Sequence, residues 1–320
     1  MARPVKPLLG RRELLLGAAG IAFAGCRRCL PPPPSVSGAA TTSDADAAAS
    51  PPGGAWRELS FEPSADAPEG GRARLLVPES AADAPILVAL HGRGEAGRGL
   101  DVGARAWPED YALDRMRERL FAPPLTSADL QEMTSPARIA ELNASLTAAP
   151  YRGMVVACPA TPDFTGRSPD EVRPFGRFLT GELLSRVRAE SGSKAGRGAI
   201  GIDGVSMGGR AALFLGFSFP EVFGVVGAMQ PALRDTELPL VVELARAAVS
   251  RAPQVIRLVS SEADPFLAVT RATSALLREA GIAHDLLVIP GNHRYEWNRG
   301  PGGAELLLWH ERVQRGLRAP

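Results

Sequence analysis

Short apolar runs alternate with longer amphipathic stretches along the chain from Trp56 onward. Eight runs have the length of a strand, and several are apolar without interruption, which is typical of strands buried on both faces of a parallel sheet. These predicted strands span residues 59–62, 73–77, 85–90, 153–158, 199–205, 222–229, 255–260 and 285–289.

Stretches with helical spacing lie between the later strands. They cover residues 175–189, 207–217, 240–249, 269–280 and 304–317. Strands that alternate with helices in this way build an α/β sheet with right-handed crossovers. The pattern therefore predicts an α/β fold over residues 56–320, with a mostly parallel, eight-stranded type of sheet flanked by helices.

One segment near residues 95–150 breaks this rhythm. It contains two predicted helices, at 111–120 and 135–146, and a plain loop of this length would be unusual inside a domain. We predict a helical excursion over the top of the sheet. Two interpretations stay open: the excursion shapes a substrate pocket, or it decorates the surface without contacting substrate.

The first 25 residues have the pattern of an export signal. Arg11 and Arg12 precede an apolar stretch over residues 14–25, shorter than the roughly 20 residues that span a bilayer. The arginine pair resembles the twin-arginine export signal. Residues 23–26 resemble a bacterial lipobox, with Phe23 where leucine is usual. This resemblance implies that Cys26 is acylated and that the protein is exported to the periplasm or cell envelope and anchored in a membrane.

Residues 26–55 contain four consecutive prolines, followed mainly by Ala, Ser, Thr, Asp and Gly. A segment without large apolar side chains cannot bury enough surface to offset the entropy lost on ordering. It is predicted to be a disordered tether between the anchor and the domain that follows.

The charge balance argues against one class of partner. The chain has 36 Lys and Arg against 35 Asp and Glu, and no long basic run. A nucleic-acid partner needs a concentrated positive surface, so we expect none. Cys26 and Cys29 form a CxxC only beside the export signal, and no histidine has metal-ligand spacing. We therefore expect no zinc or redox site at these cysteines.

The strongest chemical signal is the sequence Gly204-Val205-Ser206-Met207-Gly208, which lies between a predicted strand and a predicted helix. This is the context of a nucleophile elbow. The turn is too tight for bulky neighbours, and it lifts the serine hydroxyl clear of the sheet. Ser206 is the predicted nucleophile, and the Met207 backbone N–H is a predicted oxyanion donor.

A serine hydroxyl needs a general base. His293 follows the last predicted strand in a turn, where the base is expected. The acid that orients the base should come between the serine and the histidine. Asp264, in the turn after the predicted strand 255–260, is the predicted acid, and Glu262 is the alternative.

A second oxyanion donor is expected from His91-Gly92-Arg93-Gly94, which follows the predicted strand 85–90. The backbone N–H of Arg93, or that of Gly92, would supply it. His91 itself is expected to pack beneath the site.

The order HGRG, GVSMGG, Asp264 and PGNH resembles the α/β-hydrolase superfamily, and within it the esterases related to esterase D, feruloyl esterases and polyhydroxybutyrate depolymerases. The resemblance covers about residues 72–315, apart from the excursion. It implies hydrolysis of carboxylic esters, of a small molecule or a polymer, without a metal or cofactor. The residues after His293 resemble the aromatic tail of these esterases. Trp297 is therefore expected to bind substrate, with packing against the last helix as the alternative.

Two other functions stay open. A peptidase or a thioesterase would use the same fold and the same three residues. A catalytically silent surface-binding protein is the third hypothesis. The presence of Ser206, Asp264 and His293 together argues against it, because a silent relative has no need to keep all three.

Overall fold

The computed structural model describes residues 54–320. The predicted export signal, Cys26 and the predicted tether up to residue 53 lie outside this part of the chain. Between residues 54 and 320, no helix is both long enough and apolar enough to cross a bilayer.

An eight-stranded, mostly parallel sheet forms the centre of the fold, as predicted. Its order is β1-β2-β4-β3-β5-β6-β7-β8. The β1–β2 and β2–β4 pairs are antiparallel, and all other neighbours are parallel. The strands are β1 (Ala55–Phe61), β2 (Gly71–Val77), β3 (Ile86–Leu90), β4 (Val155–Pro159), β5 (Ile200–Gly204), β6 (Val225–Met229), β7 (Val255–Ala263) and β8 (Asp285–Asn292).

Helices cover both faces of the sheet. They are α1 (Arg93–Ala96), α2 (Leu100–Ala104), α3 (Leu113–Phe121), α4 (Pro136–Ala148), α5 (Pro169–Phe178), α6 (Leu184–Ser191), α7 (Met207–Ser218), α8 (Leu238–Arg251), α9 (Leu267–Glu279), α10 (Tyr295–Trp297) and α11 (Gly303–Gln314). The single helix predicted at 175–189 is instead α5 and α6, joined by a π-helical segment, Leu179–Leu183.

The strand β3 is buried on both faces, which explains its uninterrupted apolar sequence. Val88 and Leu90 belong to the core cluster that includes residues of α5, α7, α8 and α9. Leu87 and Ala89 belong to the opposite cluster, formed with α3, α4 and α11. Each fully buried leucine contributes about 1.5–3 kcal/mol relative to an exposed one.

The excursion is part of the core. Its helices α3 and α4 coincide with the two predicted helices, and Ser135 caps α4 by accepting a hydrogen bond from the Arg138 N–H at 3.2 Å. Leu120, Leu142 and Leu146 are buried against the sheet. These apolar side chains complete one hydrophobic layer, so α3 and α4 belong to the core of the domain.

Strands β7 and β8 extend beyond their predicted ends, through 263 and 292. The two strands are parallel, and after an irregularity at residues 261–263 their last registered pair is Ala263 and Asn292. Asp264 and His293 are the next residues along each strand. The pairing of β7 with β8 therefore places the predicted acid and the predicted base side by side at the carboxyl edge of the sheet.

Candidate active site

Ser206 lies on a tight turn between β5 and α7. Its backbone has φ +58° and ψ −117°, a conformation that non-glycine residues rarely adopt. Its N–H donates to the Met229 carbonyl at 2.9 Å, and its carbonyl accepts from the Ala232 N–H at 3.0 Å. These contacts with the segment after β6 hold the turn in place.

Gly204 and Gly208, two residues before and after Ser206, leave no room for a side chain. A Cβ on Gly204 would lie 2.6 Å from the Gly208 carbonyl carbon and 2.8 Å from the Leu90 oxygen. A Cβ on Gly208 would lie 2.5 Å from the oxygens of Leu90 and His91. The close approach that the motif predicted is thus present, between the turn and the end of β3.

The three predicted catalytic side chains form one hydrogen-bonded chain. His293 Nε2 lies 3.0 Å from Ser206 Oγ, and His293 Nδ1 lies 2.9 Å from Asp264 Oδ1. The order Asp, His, Ser is the arrangement in which the acid holds the imidazole while its far nitrogen accepts the serine proton.

Asp264 is held more firmly than the sequence indicated. Its side chain has no exposed surface, whereas about a quarter of the His293 side chain is exposed. Asp264 Oδ2 accepts from Ser260 Oγ at 2.5 Å, and Oδ1 accepts from the Phe266 N–H at 3.0 Å. Glu262, the alternative acid, is exposed and makes no contact with His293. Ser260 and Phe266 were not identified from the sequence as residues of the site.

The candidate oxyanion donors differ in their hydrogen bonding. The Met207 N–H begins α7 and donates to no acceptor among the described residues. The Arg93 N–H, at the start of α1, is likewise unpaired within residues 54–320. The Gly92 N–H donates to Tyr111 Oη at 3.1 Å. Of the two alternatives for the second donor, the geometry therefore favours Arg93.

The remaining histidines have structural partners. His91 is buried, its Nδ1 lies 2.8 Å from the Gly92 carbonyl, and its Nε2 accepts from the Thr161 N–H at 2.8 Å. Because Nε2 accepts a hydrogen bond, these contacts require the neutral ring, and burial favours that form by lowering the pKa of His91. His284 Nε2 lies 2.7 Å from Ser274 Oγ. His310 Nε2 lies 3.0 Å from Asp203 Oδ2 inside the core.

Trp297 requires a correction. The expectation that it lines a substrate pocket does not agree with its position, because the side chain is fully buried. Its ring packs closely against the backbone of Gly291 and Gly302, where an added Cβ would meet the indole at 2.4 and 2.7 Å. The packing alternative is the one that the structure supports.

The turn at Gly92–Arg93 that follows β3 is called the oxyanion turn below, and a cavity of about 510 Å³ opens beside it at His91. Its walls include residues 65–71, residues 160–164, part of α5, and His91. The excursion contributes one side of it through Ala96, Gly99, Leu100 and Gly103. Ser206, Asp264 and His293 do not line this cavity, but its wall contacts the residue after the serine: the Phe164 N–H lies 3.3 Å from Met207 Sδ.

Comparisons with known proteins agree with this geometry. Residues 157–297 match the family model described as "Putative esterase", and this match contains Ser206, Asp264 and His293. No curated protein matches the chain.

Solved structures share the fold at low sequence identity. A ferulic acid esterase aligns over 82% of this chain and 99% of its own, with a TM-score of 0.60 and 15% identity. The fluorophosphonate-binding serine hydrolase F of Staphylococcus aureus aligns over 81% and 98%, with a TM-score of 0.56 and 12% identity. A ferulic acid esterase of Anaeromyces mucronatus aligns over 85% and 93%, with a TM-score of 0.52 and 14% identity. The chain therefore has the α/β-hydrolase fold of these structures, and its residues 157–297 are similar to the family described as "Putative esterase".

Proposed function

We propose that the chain hydrolyses carboxylic esters through an acyl-enzyme formed on Ser206. The observation that carries the proposal is the hydrogen-bonded chain from Asp264 through His293 to Ser206, with distances of 2.9 and 3.0 Å.

In the first half-reaction, His293 Nε2 takes the proton of Ser206 as Oγ attacks the ester carbonyl. The carbonyl oxygen becomes an oxyanion that accepts hydrogen bonds from the Met207 and Arg93 N–H groups. Asp264 stabilises the imidazolium that has formed. When the tetrahedral intermediate collapses, His293 gives its proton to the leaving alcohol. Water then repeats the sequence on the acyl-enzyme, which releases the acid and restores Ser206.

A fluorophosphonate probe tests the proposal directly. The probe should form a covalent adduct with the folded protein, and peptide mass spectrometry should place the adduct on Ser206. The Ser206→Ala variant should not be labelled. Labelling of another residue would contradict the assignment. So would a folded wild-type protein that is neither labelled nor able to hydrolyse short p-nitrophenyl esters, and that result would favour a binding protein.

We propose separately that the chain is exported and attached to the cell envelope through an acyl group on Cys26. The support comes from the sequence: the paired Arg11 and Arg12, the apolar stretch at 14–25, and the lipobox-like residues 23–26. One acyl chain alone binds membranes only weakly, so stable attachment requires the additional chains of a lipoprotein anchor.

Metabolic labelling with a fatty-acid analogue checks this second proposal. Wild-type protein should carry the label in the membrane fraction, and Cys26→Ser should lose it. Cys29→Ser is the matched control, and it should be labelled like wild type. Equal labelling of Cys26→Ser and wild type would refute the anchor.

A further inference from the structure

A carboxylate and two phenols meet behind the oxyanion turn. Tyr111 Oη donates to Glu95 Oε2 at 2.6 Å, and Tyr295 Oη donates to Glu95 Oε1. Tyr111 Oη in turn accepts from the Gly92 N–H at 3.1 Å. Glu95, Tyr111 and Tyr295, called the Glu95 cluster below, therefore form one hydrogen-bonded chain that ends on the backbone of the oxyanion turn.

The Glu95 cluster joins three distant segments. Glu95 belongs to α1, directly after the oxyanion turn, and Tyr111 comes from the excursion. Tyr295 begins α10, two residues after His293. The carboxylate thus ties the turn that supplies an oxyanion donor to the segment that carries the base.

The carboxylate of the Glu95 cluster is buried, so losing one of its hydrogen bonds is costly. Glu95 and Tyr111 are each 1% exposed, and a buried carboxylate is costly unless its oxygens accept hydrogen bonds. The ring of Tyr111 also packs edge-on against Trp107 and Tyr295, with centroids 4.9 and 5.5 Å apart. Rotating any one phenol away would leave the Glu95 charge partly unpaired.

The phenols remain donors at neutral pH. The hydrogen bond to Glu95 raises the pKa of Tyr295 to about 12. Burial, followed by the Glu95 charge, raises the pKa of Tyr111 well above its ordinary value. Since Glu95 takes the single proton of Tyr111, a lone pair of that oxygen is left for the Gly92 N–H. The Gly92 N–H is thereby engaged by the Glu95 cluster, and the next N–H, that of Arg93, has no acceptor within residues 54–320.

We propose that Glu95, Tyr111 and Tyr295 are positioning residues of the hydrolysis, which hold the His91–Gly92 peptide and the start of α1, where the Arg93 N–H lies, in register with the His293 segment. This inference rests on the proposed function. The three residues act through the backbone of Gly92 and Arg93 and through the segment after His293. Loss of these hydrogen bonds should therefore weaken the binding of the transition state more than the binding of the substrate.

Tyr111→Phe tests the proposal with the smallest change. It should lower kcat about 10- to 100-fold. Removal of a whole oxyanion donor costs roughly 100- to 1000-fold, and the effect of Tyr111→Phe should not exceed that loss. KM for a short p-nitrophenyl ester should stay near the wild-type value. The affinity for a trifluoromethyl ketone, which becomes a tetrahedral oxyanion on Ser206, should fall in parallel with kcat/KM.

Tyr151→Phe is the matched control. Tyr151 is buried in the same core cluster as Tyr111, and it lies outside the Glu95 cluster. Its variant should keep wild-type kcat and ketone affinity. A merely structural role for Tyr111 would reduce the folded fraction and leave the ketone affinity of the folded enzyme unchanged, which would overturn the proposal.

Tyr295→Phe provides a second, more exposed site. The losses of Tyr111→Phe and Tyr295→Phe should not multiply in the double variant, because both act through the same carboxylate. Independent losses would contradict the link through Glu95.

Failure of the proposed function has a different signature: wild-type protein would neither hydrolyse esters nor react with fluorophosphonate. A labelled, active wild type with fully active phenylalanine variants would refute only the positioning role.

Discussion

Ser206→Ala should lower kcat on a short p-nitrophenyl ester by about a million-fold, the scale of loss seen when a triad nucleophile is removed. The reason is the absence of an alternative attacking group: His293 would keep Asp264 as its partner and have no hydroxyl to deprotonate. The Met207 and Arg93 N–H groups would remain, so substrate binding and a small residual rate should persist. Steady-state kinetics with active-site titration of the wild type measures the ratio.

A second serine variant makes the comparison specific. The Ser135 hydroxyl caps α4 and has no contact with Ser206. Ser135→Ala should cost about 1 kcal/mol of unfolding free energy and leave kcat unchanged. If Ser206→Ala retained more than a few per cent of the wild-type rate, the acyl-enzyme mechanism would be wrong.

Asp264→Ala should lower kcat by about 10,000-fold, because the imidazolium would lose its charge partner and its orientation. Asp264→Asn should retain more activity than Asp264→Ala. Oδ1 accepts from both His293 and the Phe266 N–H, whereas Oδ2 faces only the Ser260 hydroxyl. An asparagine can therefore keep its oxygen toward His293 and turn its amide toward Ser260, whose hydroxyl can rotate to accept. The tautomer is then preserved and only the charge is lost.

The neighbouring acid supplies the control for this prediction. Glu262→Ala removes an exposed carboxylate two residues away, and its kcat should match that of wild type. A larger loss in Glu262→Ala than in Asp264→Ala would restore Glu262 as the orienting acid. An asparagine variant as weak as the alanine variant would show that the amide turns the wrong way.

Much of the sheet was predictable because β3, β4 and β6 are buried on both faces and leave uninterrupted apolar runs. Glycines at positions 204 and 208 marked the elbow, since only a close backbone approach makes both necessary. The ends of β7 and β8 were harder to predict, because Pro290 and Gly291 resemble a turn and pair as strand only beside residues 261–263.

Other features depend on contacts that no local pattern encodes. The choice between Arg93 and Gly92 was decided by Tyr111, which is 19 positions from Gly92 in sequence. The link between Glu95 and Tyr295 spans 200 positions. Trp297 was misjudged because an aromatic residue near the base has the same sequence pattern whether it faces a pocket or the core. Its burial against Gly291 and Gly302 is a tertiary fact.

The position of β8 at the edge of the sheet affects the order in which activity and structure would be lost on heating or in denaturant. β5, which leads to Ser206, has partners on both sides, whereas β8 is paired only with β7 and is partly exposed along most of its length. Strands with fewer contacts open at lower free energy than central ones. Partial heating or mild denaturant would then release the base while the nucleophile stays in place, so inactivation precedes global unfolding and reverses on cooling. Loss of turnover is therefore an earlier measure of damage in this enzyme than loss of secondary structure.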